Sequence, residues 1–554
     1  MPILFASMRR TAVCRVGVAV LVCVMASLSA TAAGTLPVWR APAGVSAEGE
    51  DPQGLQLLDD AQGEAVALWR NETNSYYGPL ELASRSPGSV WQRTSPLRSA
   101  HGVPVGDPAV AVERGNVVIA TASQEFVPGS QGAYSTGDVV VRAVVGPLAG
   151  VSRQYSVGLS RRGRIARDPQ VAIDGEGDAV VVWEEAEKAQ STSAFALMAA
   201  VRPASSGEWR SSVRLASSIS TYSGSEALSD HEARAPSLSL MDNLQVAVDA
   251  RGDAVVVWEQ ASNTGARAVE SVTGSLMSGA WRKRRSLGTS GRRAETVCGV
   301  WVGPPPNPHP GLCTTAALYP SAEPSLAIDS RGDAVVVWAH AEGAQTTLRA
   351  VVSRTRGTTW QAPTRVVSAE PHIGSPQLKL DANGEAVLAW TEIAERETAV
   401  QVTSGLPTRK LWRAPVRLAT WSYTSPPPCR AGACNAKRVA RPLPSVQIAI
   451  GLHGEAVAVW NSLGLAPHIY AAVKPAGRHA WRRARMVSAE GSEPEVAVGA
   501  RGEAIAAWVG RRRIPEQSPD VPCEAVVRAA VLMESKIAPR RPRPVTPACS
   551  TTAP

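Results

Sequence analysis

Val246-Ala247-Val248-Asp249-Ala250-Arg251-Gly252-Asp253-Ala254-Val255-Val256-Val257-Trp258 is a phrase that returns along the whole of this chain. Close copies end at Trp69, Trp183, Trp338, Trp390, Trp460 and Trp508. A worn copy, without the Trp, runs from Pro108 through Gly115 to Ile119. Eight copies of one phrase mean an array of a single supersecondary unit. A chain of 554 residues would otherwise suggest several domains, but an array grows by adding units rather than cores. The 16 Trp against 3 Phe fit that reading, since most of the Trp fall at repeat positions.

Each repeat resolves into four strand signals, A to D. In the third copy Pro169 to Ile173 is A, Asp178 to Trp183 is B, Phe195 to Val201 is C and Trp209 to Ala216 is D. The A–B turn has a mechanism: the Asp249 carboxylate accepts backbone N–H groups of the turn, and Gly252 takes a left-handed conformation. A Cβ there would cost roughly 1 kcal/mol or more. Strand B is apolar on both faces, with Ala254, Val256 and Trp258 on one and Val255 and Val257 on the other, so neighbouring repeats must cover both. Strand D alternates, and Pro42, Pro363 and Pro415 each follow its Trp by three residues, which marks an edge. A and B inside with D outside is the anatomy of a β-propeller blade.

The ends predict closure. Trp39-Arg40-Ala41-Pro42 matches strand D of later repeats, Trp360-Gln361-Ala362-Pro363 and Trp412-Arg413-Ala414-Pro415, with no A, B or C before it. The last repeat has no D of its own. The expectation is an all-β propeller of eight four-stranded blades, with seven as the alternative because the second repeat is degenerate. The blades span about 54–100, 107–160, 168–217, 244–290, 323–369, 375–420 and 444–490, with the eighth combining 493–533 and 35–47.

Residues 1–33 read as a secretory signal: Arg9, Arg10 and Arg15, an apolar run from Val16 to Leu28, then small residues to Ala33. That run is shorter than the roughly 20 residues a membrane-spanning helix needs. Residues 34–534 form one propeller domain, and 535–554 a Pro- and Arg-rich irregular tail. An extracytoplasmic chain with Cys298, Cys313, Cys429, Cys434, Cys523 and Cys549 is expected to form disulfides. Sequence proximity favours 298–313, 429–434 and 523–549. No ligand spacing supports zinc. Net charge falls from +9 to +6 once the three signal Arg are removed, a mild basic bias. The Arg read as scattered, with no basic block among aromatics, so nucleic acid is not expected as a partner. No membrane span is expected after cleavage, and the protein is expected to be a monomer.

No nucleophile elbow, phosphate loop or zinc-protease motif appears, and the eight His offer no triad. No catalytic residue, metal site or cofactor is therefore assigned. The paired carboxylates Asp174/Asp178, Asp249/Asp253 and Asp329/Asp333 supply too few oxygens for a hard cation and read as turn caps. Length variation falls on the face of the B–C and D–A connections, whose long loops carry Trp301, Trp421, Tyr423 and Arg513 as candidate ligand-binding residues. Trp183, Trp258, Trp338, Trp390, Trp460 and Trp508 are structural.

The blade phrase resembles the repeats of secreted bacterial propellers of the sialidase-like, Asp-box kind. An Asp-box places its Asp and Gly between the third and fourth strands, whereas here they lie between the first and second. Arg513-Ile514-Pro515 is similar to the Arg-Ile-Pro motif of sialidases, which supplies an Arg for the substrate carboxylate. In that family the motif stands near the start of the domain; here it falls in the last blade. The leading expectation is a non-enzymatic exported propeller binding a protein or glycan on the loop face or in the channel. The alternative is a glycan-active hydrolase or lyase with an acid/base pair in the channel mouth. A purely structural envelope protein would have no concave charged pocket on either face.

Overall fold

In the computed structural model, the description covers residues 37–534 apart from 48–49, 61, 72–77, 95–102, 130–131, 154–155, 188–191, 222–240, 263–265, 299–312, 319–320, 344, 370–371, 395–396, 423–443, 465–466, 500 and 513–523. The described residues are all-β, with two short 3-10 turns. Unit 4 shows the pattern. Its strands A (Met241–Val248), B (Asp253–Ala261), C (Arg267–Ser275) and D (Arg285–Thr289) pair antiparallel in that order. Units 2 and 3 share one eight-stranded sheet, joined by a parallel bridge between Val139 and Ile165.

The turn chemistry of the repeat is explicit. Asp249 Oδ1 accepts the N–H groups of Arg251 and Asp253 at 2.9 and 3.0 Å, and Gly252 has φ 74°. The second carboxylate oxygen faces the next unit. Asp60 Oδ2 accepts the Gly115 N–H at 2.8 Å, and a Cβ on Gly332 would lie 2.7 Å from Asp249 Oδ2. The turn Gly is thus required twice, by its own backbone and by its neighbour's Asp. In unit 7 the Asp position is Gly451, and the Glu455 carboxylate fills the space a side chain would take there, accepting the His453 N–H at 3.1 Å. In unit 2 the turn shortens to Arg114-Gly115, both with positive φ, which explains why that copy looks worn.

Burial follows the two-sided pattern of strand B. Ala254, Val256 and the wholly buried Trp258 pack on unit 3, while Val255 and Val257 pack on unit 5. Each repeat Trp packs in this way on the unit before it. Trp69 of unit 1 packs with Ala497, Ile505, Ala507, Val527, Ala529 and Val531 of unit 8. Strand A of every unit touches strand A of the next, and that of unit 8 (Ser492–Val498) touches that of unit 1 (Pro52–Asp59).

The N-terminal segment supplies the outer strand of unit 8. Pro37–Trp39 and Ala43–Gly44 pair antiparallel with Glu524–Glu534, Trp39 facing Leu532 and Ala43 facing Ala529. Val45 N–H bonds the Val527 carbonyl at 2.8 Å, and the Val45 side chain is buried. Between those pairs Arg40, Ala41 and Pro42 oppose only Ala530 and Val531, so Arg40-Ala41-Pro42 forms an interruption. Unit 6 has the same break at Arg413-Ala414-Pro415. These Pro sit where strand D is split, a more specific place than the edge position the sequence suggests.

Two further departures concern the connections. The segment between units 4 and 5, expected as a loop, contains a β-ribbon of Gly291–Cys298 and Cys313–Leu318 with Cys298 directly opposite Cys313. Unit 2 extends its strands B and C into a long hairpin, Asn116–Gly129 and Gly132–Pro147. Residues 1–33, the 535–554 tail, Cys429, Cys434, Cys523 and Cys549 lie outside the described residues.

Candidate functional site: the acidic ends of the inner strands

Every strand A begins on the face of the B–C and D–A connections, and in most units it begins irregularly. A bulge interrupts A–B pairing between Gln53 and Gln56, Arg167 and Gln170, Asp242 and Gln245, Gly374 and Gln377, and Ser492 and Glu495. At the bulge Asp168, Asn243 and Glu493 have φ of 51°, 53° and 49°, and Glu323, at the start of unit 5, has 44°. Left-handed backbone at non-Gly residues costs about 1–3 kcal/mol each and tends to cluster at functional sites. The effect is to gather acidic and amide side chains where successive strands A lie against one another.

Two adjoining cavities of about 380 Å³ each lie at these strand ends and share Asp107. One is lined by Asp168, Glu184 and Asp242, the other by Arg70, Glu493 and Glu495. Burial raises the Asp168 carboxyl, with Arg167 opposing and Asp242 and Asp107 adding to it. Its side chain keeps 70% of its surface open, so water moderates the push. Glu493 is also raised by burial, although the backbone N–H groups of Leu55 and Gly54 in unit 1 donate to it. It therefore stitches unit 8 to unit 1.

The repeat itself marks the most unusual members. Units 1, 3, 4, 6 and 7 place Gln56, Gln170, Gln245, Gln377 and Gln447 at one strand-A position, and unit 8 places Glu495 there. Two residues further on, units 3, 4, 5, 7 and 8 carry Ala172, Ala247, Ala327, Ala449 and Ala497, whereas unit 6 carries Lys379. These two breaks attract one another. Burial pushes Glu495 up to about 8, with Lys379 opposing and Glu493 reinforcing. The surrounding protein also lowers Lys379, with Glu495 opposing, although the residue keeps an exposed surface that limits the push. Gln447 Nε2 donates to Glu495 Oε1 at 3.2 Å, so the carboxyl is held from the unit between them. Near neutral pH Glu495 holds a proton, and the Lys379 amine acts on it through its charge without an ion pair among the described residues. That arrangement can give and take protons.

The sign for stability follows. Between the unfolded value of 4.5 and about 8, folded Glu495 keeps a proton that the unfolded chain releases. Stability is therefore lost as pH rises through that window. Glu495→Gln is expected to raise stability by about 1–2 kcal/mol at pH 9 after allowance for water at these strand ends, and to leave it unchanged at pH 4. Chemical denaturation at the two pH values measures this; equal shifts at both would show that the proton is not held there.

The aromatic candidates lie elsewhere. Trp421 is in strand D of unit 6, opposite Thr398, half-buried against the cluster that joins units 6 and 7. Trp301, Tyr423 and Arg513 lie outside the described residues. The sequence reading missed the Glu495/Lys379 pair because it compared the turn and the Trp from copy to copy, and not the inner strand. Among the described residues no group of three or more His, Cys, Asp or Glu could hold a metal ion.

No protein-family model matches the sequence, and no curated protein does. Among solved structures, a Hadza microbial sialidase is 12% identical, with 65% of this chain and 66% of that one covered and a TM-score of 0.34. An ulvan lyase is 10% identical over 82% of this chain and 96% of its own, with a TM-score of 0.39. An α-L-arabinanase from Penicillium chrysogenum is 13% identical over 65% and 95%, with a TM-score of 0.32. At TM-scores below 0.5 such likenesses say nothing about substrate or activity.

Proposed function

We propose that this chain is an exported, closed, eight-bladed β-propeller that cleaves a glycan by acid–base chemistry in its channel mouth. Closure is supported by the N-terminal strand beside Glu524–Glu534 and by the cluster linking Trp69 to unit 8. The observation that carries the chemistry is Glu495, a repeat-breaking carboxyl that lines a polar cavity, is held by Gln447 at 3.2 Å and keeps its proton to about 8, with the second repeat-breaking residue, Lys379, near enough to act on its charge. Glu495 donates its proton to the leaving glycosidic oxygen. Lys379 takes one, from water in a hydrolase or from the carbon beside a sugar carboxylate in a lyase. The mouth is rich in carboxyl and amide groups, which suit a polyhydroxylated ligand better than an apolar one. Concave charged cavities also weigh against a purely structural role.

The test restores the repeat. Glu495→Gln and Lys379→Ala give each strand the residue its sister units carry, so folding is expected to survive. Wild type, incubated with neutral and uronate-containing polysaccharides, is expected to release new reducing ends, with unsaturated ends if it is a lyase. Each variant should lose activity about 10²- to 10⁴-fold while still binding the chain. Undiminished turnover in both variants, or no turnover of any polysaccharide by wild type, would overturn the proposal; binding without turnover would leave a lectin-like role.

A further inference from the structure

The opposite face, which carries the A–B and C–D turns, holds a second site with the opposite charge. Between units 4 and 5 a cavity of about 550 Å³ is lined by Arg282, Arg331, Arg354 and Arg356 with the edge of Trp281. Two of the four cations are anchored. Arg356 lies 3.0 Å from Asp249, and Arg331 lies 3.1 Å from Asp329 and donates to the Asn383 carbonyl at 2.8 Å. The other two, Arg282 and Arg354, are exposed and have no ion pair among the described residues. Asp253, the one carboxylate in the lining, is shared with Arg356 at 3.4 Å. Arg282 acts on Asp253 and Arg354 on Asp333 only at a distance, so their exposed guanidinium groups keep donors that no ion pair uses.

The hollow continues along the flank. A second cavity of about 250 Å³ shares Thr273, Arg282 and Thr358 with the first and adds Lys283 and Arg285. A third, of about 400 Å³, shares Arg285 with the second and adds Arg284 and Trp360. The result is a trough with cations at each step. The run Trp281-Arg282-Lys283-Arg284-Arg285 supplies one wall, and Arg354 and Arg356 in the C–D turn of unit 5 supply the other. This corrects the reading of the Arg as scattered, since one basic block does stand beside an aromatic.

We infer that the trough between units 4 and 5 binds an extended anionic polysaccharide, its carboxylate or sulfate groups spaced along the cations. Guanidinium forks match such oxyanions in two-point geometry. The hydroxyls of Thr273, Ser275, Ser278, Thr355 and Thr358 in the first cavity suit sugar hydroxyls. The inference is independent of the channel chemistry on the other face.

The test uses the whole chain with three probes at low salt: a heparin oligosaccharide, polygalacturonate and single-stranded DNA of matched charge. Either glycan, sulfated or carboxylated according to its source, is expected to bind and to be released by salt. The exposed-site double variant Arg282→Gln/Arg354→Gln should weaken that binding at least tenfold with an unchanged melting midpoint. Arg478→Gln/Arg485→Gln, on unit 7, should leave it intact, and so should Glu495→Gln. Failure of both glycans to bind, equal weakening by the unit 7 variant, or tighter binding of DNA than of either glycan would overturn the inference.

Discussion

Truncation of residues 34–47 is expected to abolish cooperative folding of the whole array, although the deleted segment is 14 of 554 residues. It carries two short strands that pair with Glu524–Glu534, the bonds from Arg40 and Val45 to the carbonyls of Val531 and Val527, and the buried Val45. Trp39 adds partial cover over the cluster joining units 7 and 8. With about 1 kcal/mol net per hydrogen bond and about 1.5–3 kcal/mol per buried side chain, the loss is roughly 5–10 kcal/mol. A domain has about 5–15 kcal/mol in all. Circular dichroism during urea titration should show a broad, early transition, and a synthetic peptide of residues 34–47 should sharpen it again. An unchanged midpoint in the truncated chain would mean that the segment does not belong to unit 8 in solution.

The second large effect concerns two Trp that the sequence treats as equals. Trp258 lies between units 3 and 4, far from either terminus, and Trp69 lies between unit 1 and unit 8. Both are wholly buried. Truncating a buried Trp to Ala costs about 3–5 kcal/mol, through lost burial and the cavity left behind. Trp258→Ala is expected to cost that much in any stacked array. Trp69→Ala should cost as much only if the first and last units are packed together, because at an open end its covering residues would be absent. Equal losses in midpoint for both variants support closure. A loss under about 1 kcal/mol for Trp69→Ala, beside the full loss for Trp258→Ala, would show an open seam.

Local rules account for what could be read early. Asp249, Gly252 and Trp258 act within a dozen residues, and the turn, the left-handed Gly and the two-sided apolar strand each have a short-range cause. Those causes repeat, so the all-β class and the four-strand unit were legible. The match between Trp39-Arg40-Ala41-Pro42 and later D strands was also a sequence observation, and the pairing of Pro37–Trp39 with the last strand uses it. What the local rules passed over is instructive: the same Asp reaches into the next unit, so the Gly it meets is constrained from two sides.

The candidate sites lie beyond local rules. Glu495 and Lys379 are 116 positions apart and act on each other's charge because the strands A of units 6, 7 and 8 stand side by side. Arg282 and Arg354 line one trough because consecutive units stand side by side, which no spacing in the chain expresses. Repetition specifies the unit through bonds between near neighbours. Charge acts across space, so the fields of the strand ends and the trough arise only when the units are set side by side.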